Sequence, residues 1–271
     1  MFVVGFFGII ALDSSRAAFG LLASEAFTLA SSPQLIVVPL FILMGNVASV
    51  TGMSRRLYDA AYALIGEFRG GLASATVIGC GGFAALSGSS VASALTMGKV
   101  ALAEMDRYDY DPRLSTGVVA AGGTLGILIP PSTGFVIYAI LTEQSIGRLF
   151  LAGVLPGILM LLLFIVAIMV ICTIRPGFGP AGPSTTFPQK LRALAGALPI
   201  VGVIFLTIGG IYGGFFSPVE ASAVGAGIVI VIGVLQRSHD TMVGGGLRAG
   251  ADIALVVLDG AVGQHNITEF R

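Results

Sequence analysis

The sequence predicts an all-α integral membrane protein: a multi-span helical bundle that contains a re-entrant helical hairpin and a discontinuous helix. Of the 271 residues, 55% are hydrophobic and 10% are charged, and the mean hydropathy is +0.97. This composition leaves too little polar surface to cover a soluble globule. In addition, two of the long apolar runs are interrupted by glycine, serine and proline. At membrane depth, such breaks are tolerated only beside protein or a polar cavity.

Charge and motif content exclude several other classes of protein. Acidic and basic residues number 14 each, so there is no basic field for nucleic acid. The phosphate-loop, dinucleotide-binding, HExxH and GxSxG motifs are absent from the sequence, and we do not expect an enzyme. Cys80 and Cys172 lie in apolar runs, while His239 and His265 lie in the tail. We therefore expect neither a disulfide nor a metal site built from cysteine or histidine.

Residues 1–69 are predicted to form scaffold spans and an interfacial helix. The apolar run 1–12 is shorter than the roughly 20 residues that span a bilayer, so this span is expected to be incomplete or to begin upstream. Residues 13–34 predict a short interfacial helix. Residues 35–50 predict a short span in which Asn46 either lines a solute path or bonds to a neighbouring helix.

Residues 54–69 predict an amphipathic helix that lies in the membrane interface. Apolar side chains recur there at helical spacing, whereas arginine and acidic side chains occupy the other faces. Such a helix would brace the scaffold against lipid. A charged stripe that faces solvent is the alternative interpretation.

Residues 70–103 predict the helical hairpin. Lys99 is the only charged residue in this run, and the segment LSGSSVAS interrupts its middle. Two half-helices that turn at Gly88 fit the pattern better than one span. The alternative is a single span whose small residues pack against other helices.

Residues 115–141 predict the discontinuous helix. Pro131 has no amide hydrogen and Pro130 is disfavoured in a helix before it, so several carbonyl oxygens lose their helical partners. These carbonyls and nearby hydroxyls would form an uncharged, oxygen-rich pocket that suits a sodium ion stripped of water. The hydroxyls are those of Thr124, Ser132 and Thr133. The alternative is a proline kink whose carbonyls are satisfied by serine and threonine.

The remaining chain predicts further spans and a connector. The spans are residues 149–174, 193–210 and 219–235. Residues 175–192 are rich in proline and predict a connector between structural units. Ser217 is predicted to cap the last of these helices, with Glu220 as an acid in its first turn. Residues 236–271 form an atypical tail.

The distribution of cations supports the hairpin. If both flanks of the hairpin lie inside, most arginines and lysines outside the spans lie there too, as the positive-inside rule requires. A full span over residues 70–103 would move the later loops to the opposite side and divide the same cations eight against four. The inside set is Arg55, Arg56, Arg69, Arg107, Arg113, Arg175, Lys190, Arg192, Arg237 and Arg248, against Arg16 and Arg148 outside.

Five motifs follow one another along the chain: PLFILMGNVASVTGMSRRL, FAALSGSSVASA, GGTLGILIPPS, IGRLFLAGVLPG and GGIYGGFFSPVEASAVGA. Together they resemble the large membrane subunit of tripartite ATP-independent periplasmic (TRAP) transporters. The resemblance runs from about residue 1 to residue 235. It implies a multi-pass permease subunit of the bacterial inner membrane, built as the first half of an inverted-repeat, elevator-type transporter. It also implies sodium-driven import of small organic acids, either dicarboxylates or sialic-acid-like compounds.

The resemblance also implies partners, domains and a site. The partners are a small membrane subunit and a periplasmic solute-binding protein, and sodium is the coupling ion without any other cofactor. Residues 1–69 match the scaffold, 70–148 the transport-domain hairpin and broken helix, and 149–235 further spans. The candidate sodium and substrate residues are Ser87, Gly88, Ser89, Ser90, Thr124, Gly126, Pro130, Pro131 and Ser132, with Asn46 and Thr133 as secondary candidates.

Two departures from the family leave a second hypothesis open. Members of the family carry most of another span before this sequence, and a second inverted hairpin and broken helix after it. We therefore expect this chain to lack the second repeat and its tail to fit the family poorly. The alternative to a transporter subunit is an inactive fragment, or a structural or assembly subunit without transport of its own.

Overall fold

The computed structural model describes residues 2–183 and 185–241, and within this part of the chain every regular element is helical. The predicted all-α class is confirmed. A short 3-10 helix, Pro33–Ile36, precedes the third α-helix. The α-helices are α1 (Phe2–Leu12), α2 (Ser15–Ala30), α3 (Val37–Val50), α4 (Met53–Ile65), α5 (Gly71–Ser87), α6 (Ser90–Arg107), α7 (Pro112–Leu128), α8 (Thr133–Leu141), α9 (Ile146–Ile174), α10 (Phe187–Tyr212) and α11 (Pro218–Thr241).

Several helical segments are long and apolar enough to cross a membrane. In the described part of the chain there are four: Pro112–Leu141, Ile146–Ile174, Phe187–Tyr212 and Pro218–Leu235. A fifth candidate joins Gln34–Val50 to Met53–Ile65, which are bent by 71° relative to each other. The chain is therefore a multi-pass membrane protein.

Helix α4 is the amphipathic helix predicted after α3. Leu57 and Ala61 are buried on one face while Arg55 and Asp59 are exposed on another. The helix ends at Ile65, earlier than predicted, and a turn then leads into α5. Helix α4 is bent by 71° from α3 and packs against α5 and α10.

Helices α5 and α6 form the predicted hairpin. The chain reverses at Gly88, whose φ of 60° is the left-handed conformation that glycine adopts without a Cβ clash. The two arms contain 17 and 18 residues, which gives each a length of about 26 Å. Helix α5 lies at the centre of the bundle, packed against α4, α6 and α7. The alternative of one continuous span is wrong.

The predicted discontinuous helix is also confirmed. Helix α7 ends at Leu128, and α8 begins at Thr133. Between them, Ile129 and Ser132 have extended backbone conformations, and the Pro130–Pro131 peptide bond is cis. The two helices pack against each other and against α9.

The proline-rich connector crosses the base of the hairpin, which is the end opposite its turn. The amide of Gly70 donates to the carbonyl of Gly179 at 3.0 Å, and the hydroxyl of Tyr110 donates to the carbonyl of Pro180 at 2.8 Å. Burial raises the pKa of Tyr110 to about 12, so this donor keeps its proton at neutral pH. The connector thus ties the start of α5 to the loop after α6.

The connector is shorter than predicted. Helix α10 begins at Phe187, so residues 187–192 belong to a helix and not to the connector. Pro188 lies in the first turn, where its missing amide removes no helical hydrogen bond. The Oε1 of Gln189 accepts a hydrogen bond from the amide of Thr186 at 2.9 Å and stabilises the start of the helix.

These contacts bring most of the cations to one end of the molecule. The connector joins the base of the hairpin, the start of α7, the end of α9 and the start of α10. Arg69, Arg113, Arg175 and Lys190 lie at these four points. Arg148 lies at the other end of α9. The structure therefore supports the separation of cations on which the hairpin prediction rested.

Glu67 lies in the segment that follows α4, and its side chain binds the connector and the start of α10. One of its carboxylate oxygens lies 2.9 Å from the Nζ of Lys190 and accepts hydrogen bonds from the amide (3.0 Å) and hydroxyl (3.1 Å) of Thr185. The hydrogen bond from Lys190 and those from Thr185 lower the pKa of Glu67 below its ordinary value. The charged form of Glu67 is thus the form that holds the connector.

Glu67→Gln is expected to lower the thermal midpoint of the purified protein slightly at pH 7. A depressed folded-state pKa means that the stabilisation is present above the unfolded pKa and is lost as the pH falls through the folded value. The difference between wild type and variant should therefore shrink below the ordinary glutamate pKa. Glu143→Gln, at the opposite end of the protein, is the control. A difference that does not change with pH would contradict the proposed role of the charge.

The start of α11 confirms the predicted helix cap. The Oε2 of Glu220 accepts from the amide of Ser217 at 2.8 Å, and the hydroxyl of Ser217 accepts from the amide of Glu220 at 3.3 Å. This reciprocal pair is a capping box, so Glu220 stabilises the start of α11 as the sequence predicts. Residues 242–271 of the predicted tail, with His265, lie outside the described residues.

Candidate functional site

The two backbone breaks lie against each other. The hairpin tip, defined as Ser87 to Ser90, contacts the α7–α8 break, defined as Ile129 to Ser132, and the first residue of α8. The carbonyl oxygen of Gly88 accepts hydrogen bonds from the amide of Thr133 at 3.0 Å and from its hydroxyl at 2.9 Å. Thr133, a secondary candidate from the sequence, is therefore the residue that joins the two elements.

Two glycines allow this close approach. A Cβ on Gly88 would lie 2.7 Å from the carbonyl oxygen of Pro131. A Cβ on Gly126, in the last turns of α7, would lie 2.7 Å from the backbone of Ser89 and Ser90. Backbone atoms cannot move aside as a flexible side chain can, so no larger residue fits at either position without displacing the tip from the broken helix.

The serines of the tip are held in different ways. The hydroxyls of Ser87 and Ser93 lie 3.2 Å apart, and both residues are buried. The hydroxyl of Ser89 accepts from the amide of Ala92 at 3.3 Å and caps α6. Ser90 is half-buried at the first residue of that helix. The tip is thus a fixed turn with several hydroxyl oxygens on it.

Ser132 has a buried hydroxyl that lacks a partner in the described part of the chain. Its side chain is fully buried, and among the described residues nothing forms a hydrogen bond with its Oγ. Such a group costs about 1–3 kcal/mol when it is left unsatisfied. Beside it, Pro130 and Pro131 lack the amides that would bond to the carbonyls of Gly126 and Ile127 in a continuous helix. The break therefore contains oxygen atoms that accept no hydrogen bond within a helix.

Four helix ends meet at this point. The C-termini of α5 and α7 bring carbonyl oxygens, and the N-termini of α6 and α8 bring amide hydrogens. The first pair favours cations and the second pair favours anions. Neither residues 84–93 nor residues 126–134 contain an ionisable side chain, so the electrostatics of the site come from backbone and hydroxyl groups alone.

Two candidates lie away from these contacts. Thr124 is on the exposed face of α7, where its hydroxyl donates to the carbonyl of Ala121 at 2.6 Å. Asn46 is exposed on α3. Its neighbour Gly45 faces the tip instead, since a Cβ there would lie 2.5 Å from the Cβ of Ser87. The structure does not bring Thr124 or Asn46 together with the tip and the break.

Sequence reasoning missed Gly45 and Ser93 as parts of the site. Gly45 lets α3 contact the end of α5, and Ser93 pairs with Ser87 inside the hairpin. The signal for Gly45 was a glycine within an apolar run, which alone does not say which helix approaches it. Ser93 lies four residues after Ser89, so helical spacing places the two serines on the same face of α6. This spacing was the available signal that Ser93 belongs to the site.

A family model matches almost the whole chain. The family described as "Tripartite ATP-independent periplasmic transporter, DctM component" matches residues 1–259. The match continues past residue 235, so the expectation that the tail fits the family poorly is wrong for residues 236–259.

Curated relatives are similar over most of the chain. The C4-dicarboxylate TRAP transporter large permease protein DctM of Pseudomonas aeruginosa is 42% identical over 205 residues, which is 76% of this chain and 48% of the relative. The ectoine TRAP transporter large permease protein TeaC of Halomonas elongata is 36% identical, over 70% of this chain and 44% of the relative. The sialic acid TRAP transporter permease protein SiaT of Haemophilus influenzae is 33% identical, over 76% of this chain and 33% of the relative. The chain spans about half or less of the length of these relatives.

Proposed function

Because the chain belongs to the DctM component family of tripartite ATP-independent periplasmic transporters, we propose that it works in a sodium-coupled permease that imports small organic acids. The proposed location is the bacterial inner membrane. The observation that carries the proposal is the meeting of two helix breaks around the unpartnered hydroxyl of Ser132. An oxygen atom that no described protein group satisfies supports a binding site for an external ligand.

Sodium fits the chemistry of this site. The available ligands are a buried hydroxyl and backbone carbonyls without formal charge, and a hard monovalent cation binds such oxygens well. The hydroxyl is that of Ser132, and the carbonyls are those of Gly126 and Ile127. The C-termini of α5 and α7 add negative partial charge on the same side. The carbonyl of Gly88 is less suitable because Thr133 already occupies it.

The substrate would be held by the N-termini of the other two helices at this site, α6 and α8. These N-termini carry positive partial charge, which suits the carboxylate of an organic acid. The relatives named for C4-dicarboxylates reach 42% identity, against 36% and 33% for those named for ectoine and sialic acid. A C4-dicarboxylate is therefore the substrate class that we propose. By family, the proposed partners are a small membrane subunit and a periplasmic binding protein.

The sodium site can be tested on the purified chain in detergent. Sodium chloride is expected to raise the thermal midpoint above that in choline chloride, since a ligand at 100 times its Kd stabilises by about 2.7 kcal/mol. Ser132→Ala should abolish this sodium-dependent shift. In choline chloride it should leave the midpoint unchanged or slightly raised, because the lost hydroxyl has no partner among the described residues.

Ser74→Ala is the matched control. Ser74 is also buried with an Oγ that lacks a partner among the described residues, but it lies near the start of α5, about 20 Å from the tip. This variant should keep the full sodium shift. A sodium shift that survives in Ser132→Ala would contradict the proposed site. Absence of any shift in the wild type would favour the structural or assembly role over transport.

A further inference from the structure

We propose that the cavity between α4 and the first turns of α10 binds the phosphate headgroup of an anionic phospholipid. This headgroup cavity lies at the end of the molecule where most of the cations are found, far from the hairpin tip. It has no part in the proposed transport site, so the inference stands or falls independently of the transported solute.

The headgroup cavity has a suitable size and lining. Its volume is ≈ 340 Å³. Small side chains on α10 leave the space open, and long polar side chains from both helices surround it. The lining residues are Arg56, Asp59, Gln189, Arg192, Ala193 and Gly196.

The charge of the headgroup cavity is unbalanced. It contains two guanidinium groups and one carboxylate. In the part of the chain that the structure describes, the ion pairs are Arg55–Glu104 at 3.7 Å and Lys190–Glu67 at 2.9 Å. Arg56 and Arg192 thus have no carboxylate partner there. Guanidinium groups bind phosphate oxygens through paired, charge-assisted hydrogen bonds, so an anionic phosphodiester complements this lining.

Gln189 adds an oriented donor to the headgroup cavity. Its side-chain oxygen accepts from the amide of Thr186 at 2.9 Å, which leaves the side-chain NH2 group for another acceptor. A phosphate oxygen is such an acceptor. Together with the two arginines, this gives the cavity three side chains that donate hydrogen bonds.

The surroundings favour a lipid over a soluble phosphate. Helix α4 is amphipathic, as a helix at the membrane interface is. Leu191, Leu194 and Leu198 of α10 are 60%, 39% and 66% exposed, and at about 100° per residue they lie on the face of the helix opposite the headgroup cavity. An exposed apolar face at the level of the cavity indicates that lipid surrounds this end of α10. Basic pockets between membrane helices at the cytoplasmic surface are typical sites for anionic headgroups.

The test is lipid titration of the purified chain in detergent, followed by native mass spectrometry. The wild type is expected to retain phosphatidylglycerol in preference to phosphatidylcholine. Soluble glycerol 3-phosphate should not displace the lipid at equal concentration, because it lacks acyl chains. Equal retention of both lipids, or displacement by glycerol 3-phosphate, would overturn the proposal of a phospholipid site.

Removal of the two arginines tests the location. The double variant Arg56→Gln and Arg192→Gln should weaken phosphatidylglycerol binding by roughly 30-fold, the effect expected for two basic residues near an anionic headgroup. The control is Arg16→Gln with Arg148→Gln, which makes the same change of charge away from the headgroup cavity. Equal losses in both double variants would show a general charge effect and overturn the assignment.

A second pair of variants changes no charge. A Cβ on Gly196 or on Gly202 meets no described atom within 4 Å, so leucine is accommodated at both positions of α10. Gly196→Leu fills the headgroup cavity and should reduce phosphatidylglycerol binding, whereas Gly202→Leu should not. If both bind as the wild type does, the lipid does not occupy this cavity.

Discussion

Gly126→Ala is expected to destabilise the protein by about 1–3 kcal/mol, the usual effect of overpacking a close contact. The added Cβ would lie 2.7 Å from the backbone of Ser89 and Ser90. These atoms belong to the capped turn of the hairpin and cannot move as a flexible side chain does. Alanine would therefore push α7 away from the hairpin tip. The measurement is the unfolding free energy of the purified chain in detergent, by thermal or denaturant titration.

Gly117→Ala provides a control in the same helix. A Cβ at Gly117 meets no described atom within 4 Å. Since glycine is less favourable than alanine inside a helix by roughly 0.5–1 kcal/mol, this variant should be unchanged or slightly more stable. The two substitutions are chemically identical and are expected to differ in sign. A stable Gly126→Ala protein would show that α7 does not contact the tip as closely as the structure places it.

The hairpin and the broken helix could be predicted from the sequence because their breaks are local. Gly88 allows a left-handed turn, and Pro130 with Pro131 removes two consecutive amides. Each effect acts within a few residues, so the position of each break follows from the sequence. Lys99 is the only charged residue in the two runs, 70–103 and 115–141, and this low charge favours membrane-embedded helices.

The position of Thr124 shows that a hydroxyl close to the break in sequence need not face the site. The sequence suggests Thr124 as a site residue because its hydroxyl lies near the break along the chain. At about 100° per residue, however, it points roughly 200° away from Gly122 and Gly126. Gly122 and Gly126 face the hairpin, so Thr124 faces outward. Helical phase contained this information, but the direction became clear only once the packed face of α7 was known.

The contacts that hold the connector could not be predicted, because they are made with residues distant in the chain. Thr185 binds the carboxylate of Glu67, and Pro180 binds the hydroxyl of Tyr110. These pairs are separated by 118 and 70 positions in the chain. Four prolines predicted only that the segment is not one helix. The partners that hold it in place depend on the packing of α4, α5 and α6.

The contact between Gly88 and Thr133 makes the two breaks one structural unit. Each break alone is explained by a kink or a turn that packs small residues. Two hydrogen bonds to one carbonyl oxygen, at 3.0 and 2.9 Å, instead couple the start of α8 to the turn of the hairpin. A movement of one element must therefore move the other or break both bonds.

Gly88→Ala tests this coupling. It is expected to lower the free energy of unfolding by more than the left-handed backbone conformation alone explains. A left-handed φ of 60° costs alanine about 1–2 kcal/mol. The added Cβ would also lie 2.7 Å from the carbonyl oxygen of Pro131, which should add about 1–3 kcal/mol. Unfolding free energy in detergent measures the sum. The stabilising effect of sodium proposed above should decrease in the same variant, because the tip and the break would separate.

Gly214→Ala separates the two contributions. Gly214 has a φ of 72°, close to that of Gly88, but its Cβ would meet no described atom within 4 Å. This variant should therefore show the backbone cost alone and keep the full sodium shift. If the two variants lose the same stability, the approach of Gly88 to Pro131 contributes nothing. The coupling of the two breaks would then depend on the hydrogen bonds from Thr133 alone, and Thr133→Val should weaken it, because valine loses the hydroxyl bond and keeps the amide bond.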